Sequence, residues 1–481
     1  MLFNSLAFAI FLPVVFFTYW ALPQKYRYIV LFLASYYFYM SWNAKYVVLI
    51  LFTTLVSYAG ALFIGECKTV RGKRAVVAAV ILLCLSVLFF FKYFNFAQNT
   101  LIRIVQSFAI TLHPITLALM LPVGISFYTF QTLSYVVDVY KGEVKPDHNF
   151  FRYAAFVSFF PQLVAGPIER GANLLPQIDC EHTFTYEKGS YGIKLMAWGF
   201  FKKLVIADNL AVFVDAVFEQ PSDYHGFALV LGVLFFTFQI YCDFSGYSDI
   251  AVGTAKLFDI DLMTNFKSPY FSASIREFWH RWHISLSTWF KDYVYIPLGG
   301  NRVSKGRNIL NLLITFTLSG LWHGAAFTYV IWGGLHGVMQ SIENLLFPKK
   351  KSPKKELSKG GISWWIRVAV VFCLVAGAWC FFRAGSVRQA FYIFFHMTDG
   401  ILHPRSYLSV GLHAFDIRAI WHMALPVCLL LWYDYVSLTK DPLLAIGKLP
   451  SPVRRAVYYG FLLMVLLLAS FNSQEFVYFQ F

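Results

Sequence analysis

The amino-acid sequence predicts an all-α polytopic membrane protein, and two observations lead to this prediction. Of the 481 residues, 58% are hydrophobic, 20% are aromatic and only 14% are charged, whereas about a quarter of the residues in soluble domains are charged. The apolar residues also form repeated runs near the length of about 20 residues that crosses a bilayer. We therefore expect a single integral membrane domain over residues 1–481, with roughly 11–13 transmembrane helices and additional re-entrant or interfacial helices.

Some of these runs are interrupted in ways that a lipid-facing helix does not tolerate. The segment 268–302 interleaves aromatic with charged residues, so we expect short interfacial or re-entrant helices there, packed against protein or a wet cavity. Glycine and proline in the stretches 121–131 and 159–170 predict broken helices, whose Gln131 and Glu169 are candidates to face a cavity. The apolar runs lie near residues 5–22, 28–41, 47–65, 75–95, 104–121, 123–138, 151–166, 192–217, 226–242, 309–330, 327–347, 363–382, 419–437 and 456–472.

Basic residues are concentrated in the loops between the runs and give a formal net charge of +15. The strongest basic loops are residues 66–74, 349–359 and 448–455, which the positive-inside rule puts in the cytoplasm beside anionic lipid headgroups. The last run then carries residues 476–481, FVYFQF, to the outer face. Membrane lipid is an expected partner. Nucleic acid is not, because no basic stripe with interleaved aromatic residues is present.

The cysteines and the N-terminus indicate what the chain lacks. Its seven cysteines form no CxxC pair and no metal-ligand spacing, so we expect neither a disulfide framework nor a metal site. No Lys or Arg precedes the first apolar run, and no small-residue cleavage signal follows it, so we interpret that run as a retained span. The motifs of nucleophile-elbow hydrolases, dinucleotide-binding proteins and P-loop ATPases are also missing.

The almost wholly apolar stretch 319–337 contains His323 and His336 but no Lys, Arg, Asp or Glu. An ionisable group at membrane depth is costly and indicates a functional site. For His323, a general base and a buried histidine satisfied by backbone are about equally supported. Ser319 lies one helical turn before it, and small residues that include Gly320 predict room for a substrate beside it.

His336 would lie about 20 Å from His323 on one straight helix, and on a different face. A joint site of the two histidines would need a break at Gly333 and Gly334. We therefore interpret His336 as structural.

His280 and His283 are spaced i, i+3 and are expected to share one helical face. No further ligand lies at metal-binding spacing, so we expect one imidazole to line a cavity instead. The neighbouring Arg276, Glu277 and Arg281 would pair with one another or with a polar cofactor.

Asp243 and Asp249 end an apolar run, where a helix end at a polar pocket and a role in orienting substrate or protons are equally supported. The candidates for tunnel-lining or substrate-binding residues are Trp282, His280, Arg281, Asp243, Ser319, Trp322 and Gln131.

Several stretches, in order along the chain, resemble motifs of the bacterial membrane-bound O-acyltransferases. The similarity is strongest to the branch of alginate O-acetyltransferases and peptidoglycan O-acetylating proteins. It covers about residues 121–384, the motif-bearing core, and leaves residues 385–481 as C-terminal spans and tail. The matching stretches are LPVGISFYTFQTLSYVVDVY (121–140), FFPQLVAGPIER (159–170), YCDFSGYSDIAVGTAKLFDI (241–260), SPYFSASIREFWHRWHISLSTWFKDYVYIPLGGNR (268–302), LSGLWHGAAFTYVIWGGLHG (318–337) and FFRA (381–384).

The resemblance implies a ring of helices around a central tunnel, with His323 matching the family's essential intramembrane histidine and His283 a second one. It implies acetyl-CoA as a cytoplasmic acyl donor, and O-acetylation of an extracytoplasmic polysaccharide such as alginate, peptidoglycan or another exopolysaccharide. It further implies a location in the bacterial inner membrane and a separate periplasmic or surface acetyltransferase partner of the SGNH type.

The C-terminal FVYFQF is similar to the FxYxxF tail of the related teichoic-acid D-alanylation system, which makes Tyr478 a candidate acyl carrier; a frayed hydrophobic terminus is the alternative. Two other functions stay open. One is D-alanyl transfer to teichoic acid within the same fold, and the other is a transporter or flippase whose intramembrane Asp and His residues form a substrate path.

Overall fold

The structure, a computed structural model, describes residues 1–110, 114–115, 121–347, 360–415, 417–470 and 476–477. Within these residues every regular element is helical, as the sequence predicts. The chain forms two compact units; two of the three boundaries between them fall inside the helices Tyr186–Phe200 and Phe227–Lys256, and the third follows Met263.

The first unit comprises residues 1–196 and 250–263. In it, α3 packs on α4 and α6, and α2 packs on α7. The hydroxyl of Tyr153 donates to Ser57 Oγ at 2.7 Å in the buried interior, which satisfies two polar groups that would otherwise be costly in an apolar core. Its helices are α1 (Leu6–Ala21), α2 (Gln24–Met40), α3 (Val47–Glu66), α4 (Val70–Leu88), α5 (Phe94–Gln106), α6 (Ile125–Lys141), α7 (Phe150–Ser158), α8 (Gly171–Asp179) and most of α9 (Tyr186–Phe200).

The second unit comprises residues 197–249 and those described from 264 onward. Its most extensive helix pair is α14 and α15, which are joined by only three residues and form a helical hairpin. Its helices are α10 (Asp208–Glu219), most of α11 (Phe227–Lys256), α12 (Ile275–Arg281), α13 (Ile284–Phe290), α14 (Lys305–His323), α15 (Phe327–Leu346), α16 (Ile362–Arg383), α17 (Val387–His396), α18 (Pro404–His413), α19 (Ile417–Ser437), α20 (Pro442–Gly447) and α21 (Ser451–Leu468).

Five helical segments among the described residues are long and apolar enough to cross a membrane: Ala44–Glu66, Val70–Gln106, Phe227–Lys256, Ile362–Arg383 and Ser451–Leu468. The shorter Leu6–Ala21 is also apolar. The predicted multi-pass character is therefore confirmed. The remaining predicted runs include helices such as α14 and α15, which carry buried polar residues and so fall short of an apolar span by composition.

Broken helices are found in two of the predicted stretches, 159–170 and 268–302, whereas residues 125–131 belong to the regular helix α6. Helix α7 ends at Ser158, and residues 159–170, which follow it, are almost entirely buried without forming a regular helix. Residues 268–302 form a single turn at Pro269–Phe271, then the short helices α12 and α13 and a π-helical turn at Lys291–Tyr295. Irregular backbone at membrane depth must be covered by protein or line a cavity, and these segments supply most of the candidate residues.

Candidate functional site

His323 is the last residue of α14 and is 3% exposed. Its imidazole lies among aromatic rings, with centroids 5.1 Å from Trp332 and 5.3 Å from Phe382. Trp332 meets it edge to face, an arrangement that aromatic rings favour. Helix α14 ends here because Gly324 adopts an extended conformation, so His323 stands where the chain turns into α15.

His283 lies between α12 and α13 in a left-handed backbone conformation, with φ 42° and ψ 55°. Few residues other than glycine adopt this conformation, and here Asn265 stabilises it. The Asn265 carbonyl accepts from the Ile284 N–H at 2.9 Å, and its side-chain oxygen accepts from Ser285 Oγ at 2.6 Å. The i, i+3 expectation for His280 and His283 is therefore wrong, because α12 ends at Arg281 and the two imidazoles share no helical face.

The two histidines meet although they are far apart in sequence. The ring centroids of His283 and His323 are 6.3 Å apart. Trp322 lies beside both, at 4.9 Å from His323 and 6.0 Å from His283. His283 is fully buried and packs edge to face on Phe244 at 4.6 Å. Two imidazoles in one buried, aromatic volume can exchange protons with the same substrate.

His336 joins this group through Trp332, whose ring lies 5.0 Å from His336 and 5.1 Å from His323. The break at Gly333 and Gly334 that a joint site on one helix would need is absent. Helix α15 is continuous there, and the chain instead turns back between His323 and Phe327, which brings the two histidines together. We call His283, His323, His336, Trp282, Trp322 and Trp332 the histidine cluster.

The glycines beside His323 do not leave room for a substrate, contrary to the expectation from sequence. A Cβ on Gly320 would collide with the Tyr329 carbonyl, and one on Gly324 would collide with the Tyr329 ring. The space is occupied by α15, which approaches α14 as closely as small residues allow. Ser319 is buried on α14 one turn before His323, and its role beside substrate stays a prediction.

Asp243 lies in the middle of α11 and is 1% exposed. Its Oδ1 pairs with Lys203 Nζ at 2.7 Å, and Lys203 also pairs with Asp208 at 2.8 Å. Its Oδ2 accepts from the backbone N–H of Val477 at 2.7 Å. Buried charges need such partners. Sequence reasoning did not single out Lys203, although a lysine pair inside the apolar run 192–217 is a signal for buried partners.

The described tail residues are buried beside the histidine cluster. Phe476 is 2% and Val477 5% exposed. The Phe476 ring lies 5.1 Å from Tyr247 and 6.0 Å from Phe244, the ring that packs on His283. Tyr478, the candidate acyl carrier, lies outside the described residues.

Comparison with known proteins identifies the family of the chain. The family model for membrane-bound O-acyltransferases matches residues 143–382. The chain is 42% identical to the probable alginate O-acetylase AlgI of Pseudomonas aeruginosa over 399 residues, which cover 81% of this chain and 73% of the relative. The chain belongs to the membrane-bound O-acyltransferase family.

Two further relatives of this membrane-bound O-acyltransferase are also similar to it. The peptidoglycan O-acetyltransferase of Helicobacter pylori is 37% identical over 423 residues, 81% of this chain and 78% of the relative. The teichoic acid D-alanyltransferase of Bacillus subtilis is 29% identical over 267 residues, 52% of this chain and 66% of the relative. The predicted family and all-α fold are confirmed, and the chain is an O-acyltransferase enzyme. The transporter interpretation has no support.

The charged residues beside the histidine cluster of this O-acyltransferase are largely paired. Arg281 Nη2 contacts Glu277 Oε1 at 2.7 Å, as expected, whereas Arg276 pairs with Glu343 of α15 at 3.9 Å. His280 is exposed. Trp282 is fully buried and packs 4.9 Å from Trp379. Tunnel-lining roles for His280, Arg281, Trp282 and Trp322 stay predictions.

Two further candidates lie in the first unit. Gln131 is buried and its amide donates to the Phe156 carbonyl at 2.8 Å. Glu169 is buried, with its carboxylate oxygens accepting from Met263 N at 2.5 Å and Asn173 Nδ2 at 2.7 Å. Burial raises the pKa of Glu169 to about 7, against the lowering effect of these hydrogen bonds. Both side chains brace the backbone around them.

A metal centre is not apparent in the described part of the chain, where no group of three His, Cys, Asp or Glu residues could hold an ion. The cysteines are scattered: Cys84, Cys242 and Cys380 are buried, and none of the seven is in a disulfide.

Proposed function

We propose that this chain transfers acetyl groups from acetyl-CoA in the cytoplasm across the bacterial inner membrane, for O-acetylation of an extracytoplasmic polysaccharide. The observation that carries this proposal is the meeting of His283 and His323 at 6.3 Å in a buried aromatic cluster. The names of the similar relatives, alginate O-acetylase and peptidoglycan O-acetyltransferase, support the acetyl group and a polysaccharide acceptor.

His323 acts as the general base of the reaction. Its neutral imidazole takes the proton of an attacking hydroxyl, and the hydroxyl oxygen forms a bond to the carbonyl carbon of the acetyl thioester. The carbon–sulfur bond then breaks, and the coenzyme A thiolate leaves and takes up the proton. Trp322, Trp332 and Phe382 surround the imidazole, and this apolar wall excludes water that would otherwise hydrolyse the acyl group.

Tyr478 is the proposed first acceptor of the acetyl group. The two preceding residues support this role, since Phe476 packs on Phe244 beside His283 and Val477 is bound by Asp243. A phenolic oxygen delivered to the histidines can attack the thioester and later release the acetyl group to a second hydroxyl. His283, whose ring lies 6.3 Å from that of His323, assists as a second acid–base group.

The second hydroxyl belongs to the polysaccharide or to a partner that carries the acetyl group to it. We propose a periplasmic or surface acetyltransferase of the SGNH type as that partner, because the chain is a membrane enzyme and its acceptor is an extended polymer. The basic loops 66–74 and 448–455 support a cytoplasmic donor side, which leaves the tail and acceptor on the outer side.

The decisive experiment incubates the purified protein with acetyl-labelled acetyl-CoA and follows both coenzyme A release and label on the chain. Wild type is compared with His323→Ala, Tyr478→Phe and, as a matched control, His403→Ala, whose histidine is exposed and outside the cluster. We expect wild type and His403→Ala to release coenzyme A and carry label, and the other two to lose both.

Each other result has a defined meaning. Normal coenzyme A release by well-expressed His323→Ala would overturn the role of His323 as base. Loss of coenzyme A release in His323→Ala, with normal turnover of Tyr478→Phe, would support the acyltransferase reaction and contradict the tyrosine relay. Absence of turnover in every protein, even with the partner added, would contradict acetyl-CoA as the donor.

D-alanyl transfer to teichoic acid is the second candidate, favoured by the similarity to the teichoic acid D-alanyltransferases. That similarity covers a smaller share of this chain than the similarity to AlgI, which favours acetyl transfer. Supplying labelled D-alanyl carrier protein in place of acetyl-CoA separates the two, because only the true acyl donor will label the chain.

A further inference from the structure

A groove of about 560 Å³ lies in the second unit, between α16 and α19. Every residue that lines it is aliphatic or aromatic, including Tyr270, Ala369 and Phe372. It opens to the outside of the unit, since Trp365 and Tyr435 at its edge are 44% and 43% exposed. No residue of the histidine cluster lines this groove, so the groove needs an explanation separate from the acyl-transfer site.

The surroundings of the groove are lipid. Helix α16 is apolar and long enough to cross the bilayer, and half of its most apolar 18-residue stretch is buried against protein. The exposed half of a membrane-spanning helix faces hydrocarbon. A groove on that side is therefore filled from the bilayer, and a hydrocarbon chain makes contacts with its walls that a polar solute would not.

The groove lies near one end of the two helices that form it. It is lined by the first three turns of α16, from Trp365 to Phe372, and by the final turns of α19, from Leu431 to Tyr435. Trp and Tyr side chains are typical of the boundary between hydrocarbon and headgroups. The groove thus extends from a headgroup level toward the centre of the bilayer.

The exposed charges near that end are positive, since Asp434 is buried and accepts from the Tyr241 hydroxyl, and Asp441 caps the N-terminus of α20. Lys267, Arg367 and Lys440 are exposed and lie within a few residues of the lining residues Tyr270, Val368 and Tyr435. In the sequence, α16 also follows the basic run 349–359, which the positive-inside rule puts in the cytoplasm. The cytoplasmic leaflet carries anionic lipids that such residues attract.

We propose that this groove binds a hydrocarbon chain of an anionic phospholipid from the cytoplasmic leaflet, with the headgroup near Lys267, Arg367 and Lys440. Its volume falls within the range of about 300–1,000 Å³ that is usual for ligand pockets. The anionic headgroup fits the cations at the mouth, and the chain fits the apolar walls.

The bound lipid would also support the histidine cluster. Tyr270 forms part of the groove wall, and its hydroxyl is fixed by donating to the Thr237 carbonyl at 2.6 Å. Its ring also lies 6.4 Å from Phe278 and 6.1 Å from Trp282, and Trp282 precedes His283. A filled groove therefore limits the movement of the wall on which Trp282 rests.

The test compares two neighbouring tryptophan substitutions on α16. Ala369 lines the groove, so Ala369→Trp fills it, whereas Val370 is 53% exposed and is not a lining residue, which makes Val370→Trp the matched control. The full-length proteins are purified in detergent and their retained phospholipids are quantified by mass spectrometry. We expect wild type and Val370→Trp to retain anionic phospholipid and Ala369→Trp to lose it severalfold.

A second measurement uses only the wild-type protein, so its result does not depend on whether a variant folds. Delipidated wild type is mixed with vesicles of phosphatidylglycerol or phosphatidylcholine, and its unfolding temperature is recorded. A rise with phosphatidylglycerol, weaker with phosphatidylcholine, supports the proposal. Equal effects of both lipids, or equal lipid retention by Ala369→Trp and wild type, would overturn it. So would conversion of a dimer to a monomer by Ala369→Trp with unchanged lipid content, because the groove would then be a subunit interface.

Discussion

Asp243 in the middle of α11 binds the backbone N–H of Val477 at 2.7 Å, although 234 positions separate the two residues in the sequence. The other oxygen of this carboxylate pairs with Lys203 at 2.7 Å. The Lys203 ammonium and the main-chain amide of Val477 together stabilise the buried Asp243 carboxylate. Because the tail contributes a backbone group, its docking depends on the N–H of residue 477 in addition to the packing of the buried Val477 side chain.

Val477→Pro is expected to release the tail, because proline has no N–H to donate to Asp243. A hydrogen bond to a charged group contributes about 1.5–3 kcal/mol, so docking should weaken roughly ten- to a hundredfold. Val477→Ala keeps the N–H and serves as the matched control. The measurements are protease sensitivity of a C-terminal tag and acyl transfer per mole of protein.

The hydrogen bond also predicts how variants combine. Asp243→Ala and Val477→Pro remove the same interaction, so the double variant should lose little more tail docking than either single variant. Additive losses would contradict the direct contact. Equal protease sensitivity of Val477→Pro and Val477→Ala would mean that side-chain packing, and not the N–H of residue 477, holds the tail.

The fold class could be predicted because the thickness and apolarity of the bilayer alone determine the length and composition of the apolar runs. The contacts between residues of the histidine cluster could not be predicted from the sequence. His283 and His323 were paired by resemblance to a family, whereas the helical spacing assigned His283 to the same face as His280. That spacing argument failed because a left-handed residue interrupts the helix, and the Asn265 contacts that stabilise it join distant positions.

The glycines near His323 show the same limit. A small residue in an apolar run indicates close approach, but the sequence does not say of what. We expected a substrate at Gly320, and the structure has the Tyr329 backbone there. By contrast, the lysine pair that includes Lys203 carried a readable signal, because a charge within an apolar run requires a buried counter-charge.

Gly333→Ala is expected to force α14 and α15 apart. A Cβ on Gly333 would collide with the Phe316 carbonyl of α14, whereas one on the adjacent Gly334 would meet only Thr317 Oγ1 at 4.0 Å. Alanine favours the helix by about 1 kcal/mol over glycine, so Gly334→Ala should match or exceed wild-type stability. Gly333→Ala should lower the unfolding temperature and the transferase rate. Similar behaviour of the two variants would contradict the close packing of this hairpin.

Glu169 gives the first unit a dependence of stability on pH. Its pKa is raised to about 7 in the folded protein from the usual 4.5. The folded state therefore holds this proton more tightly, and its contribution is complete below pH 4.5 and is lost as pH rises through about 7. The total is up to about 3 kcal/mol. The unfolding temperature of wild type relative to Glu169→Gln should fall between pH 5 and pH 8. A difference that does not change with pH would contradict the raised pKa.

His323 and His336 both contact Trp332, yet we expect substitution of His336 to lower mainly the stability and substitution of His323 to lower mainly the rate. The Nδ1 of His336 accepts from the Trp279 indole at 3.3 Å in a fully buried site. His336→Phe keeps a ring of similar size but leaves that donor unpaired, which costs about 1–3 kcal/mol of stability. His323→Ala instead removes the proposed base, which should lower the rate about 10²- to 10⁴-fold with a smaller effect on the amount of folded protein. Unfolding temperature and turnover per folded molecule, measured on both variants, separate the two roles. A large loss of turnover in stable His336→Phe would show that His336 shares in the chemistry, because a purely structural residue affects the rate only through the amount of folded enzyme.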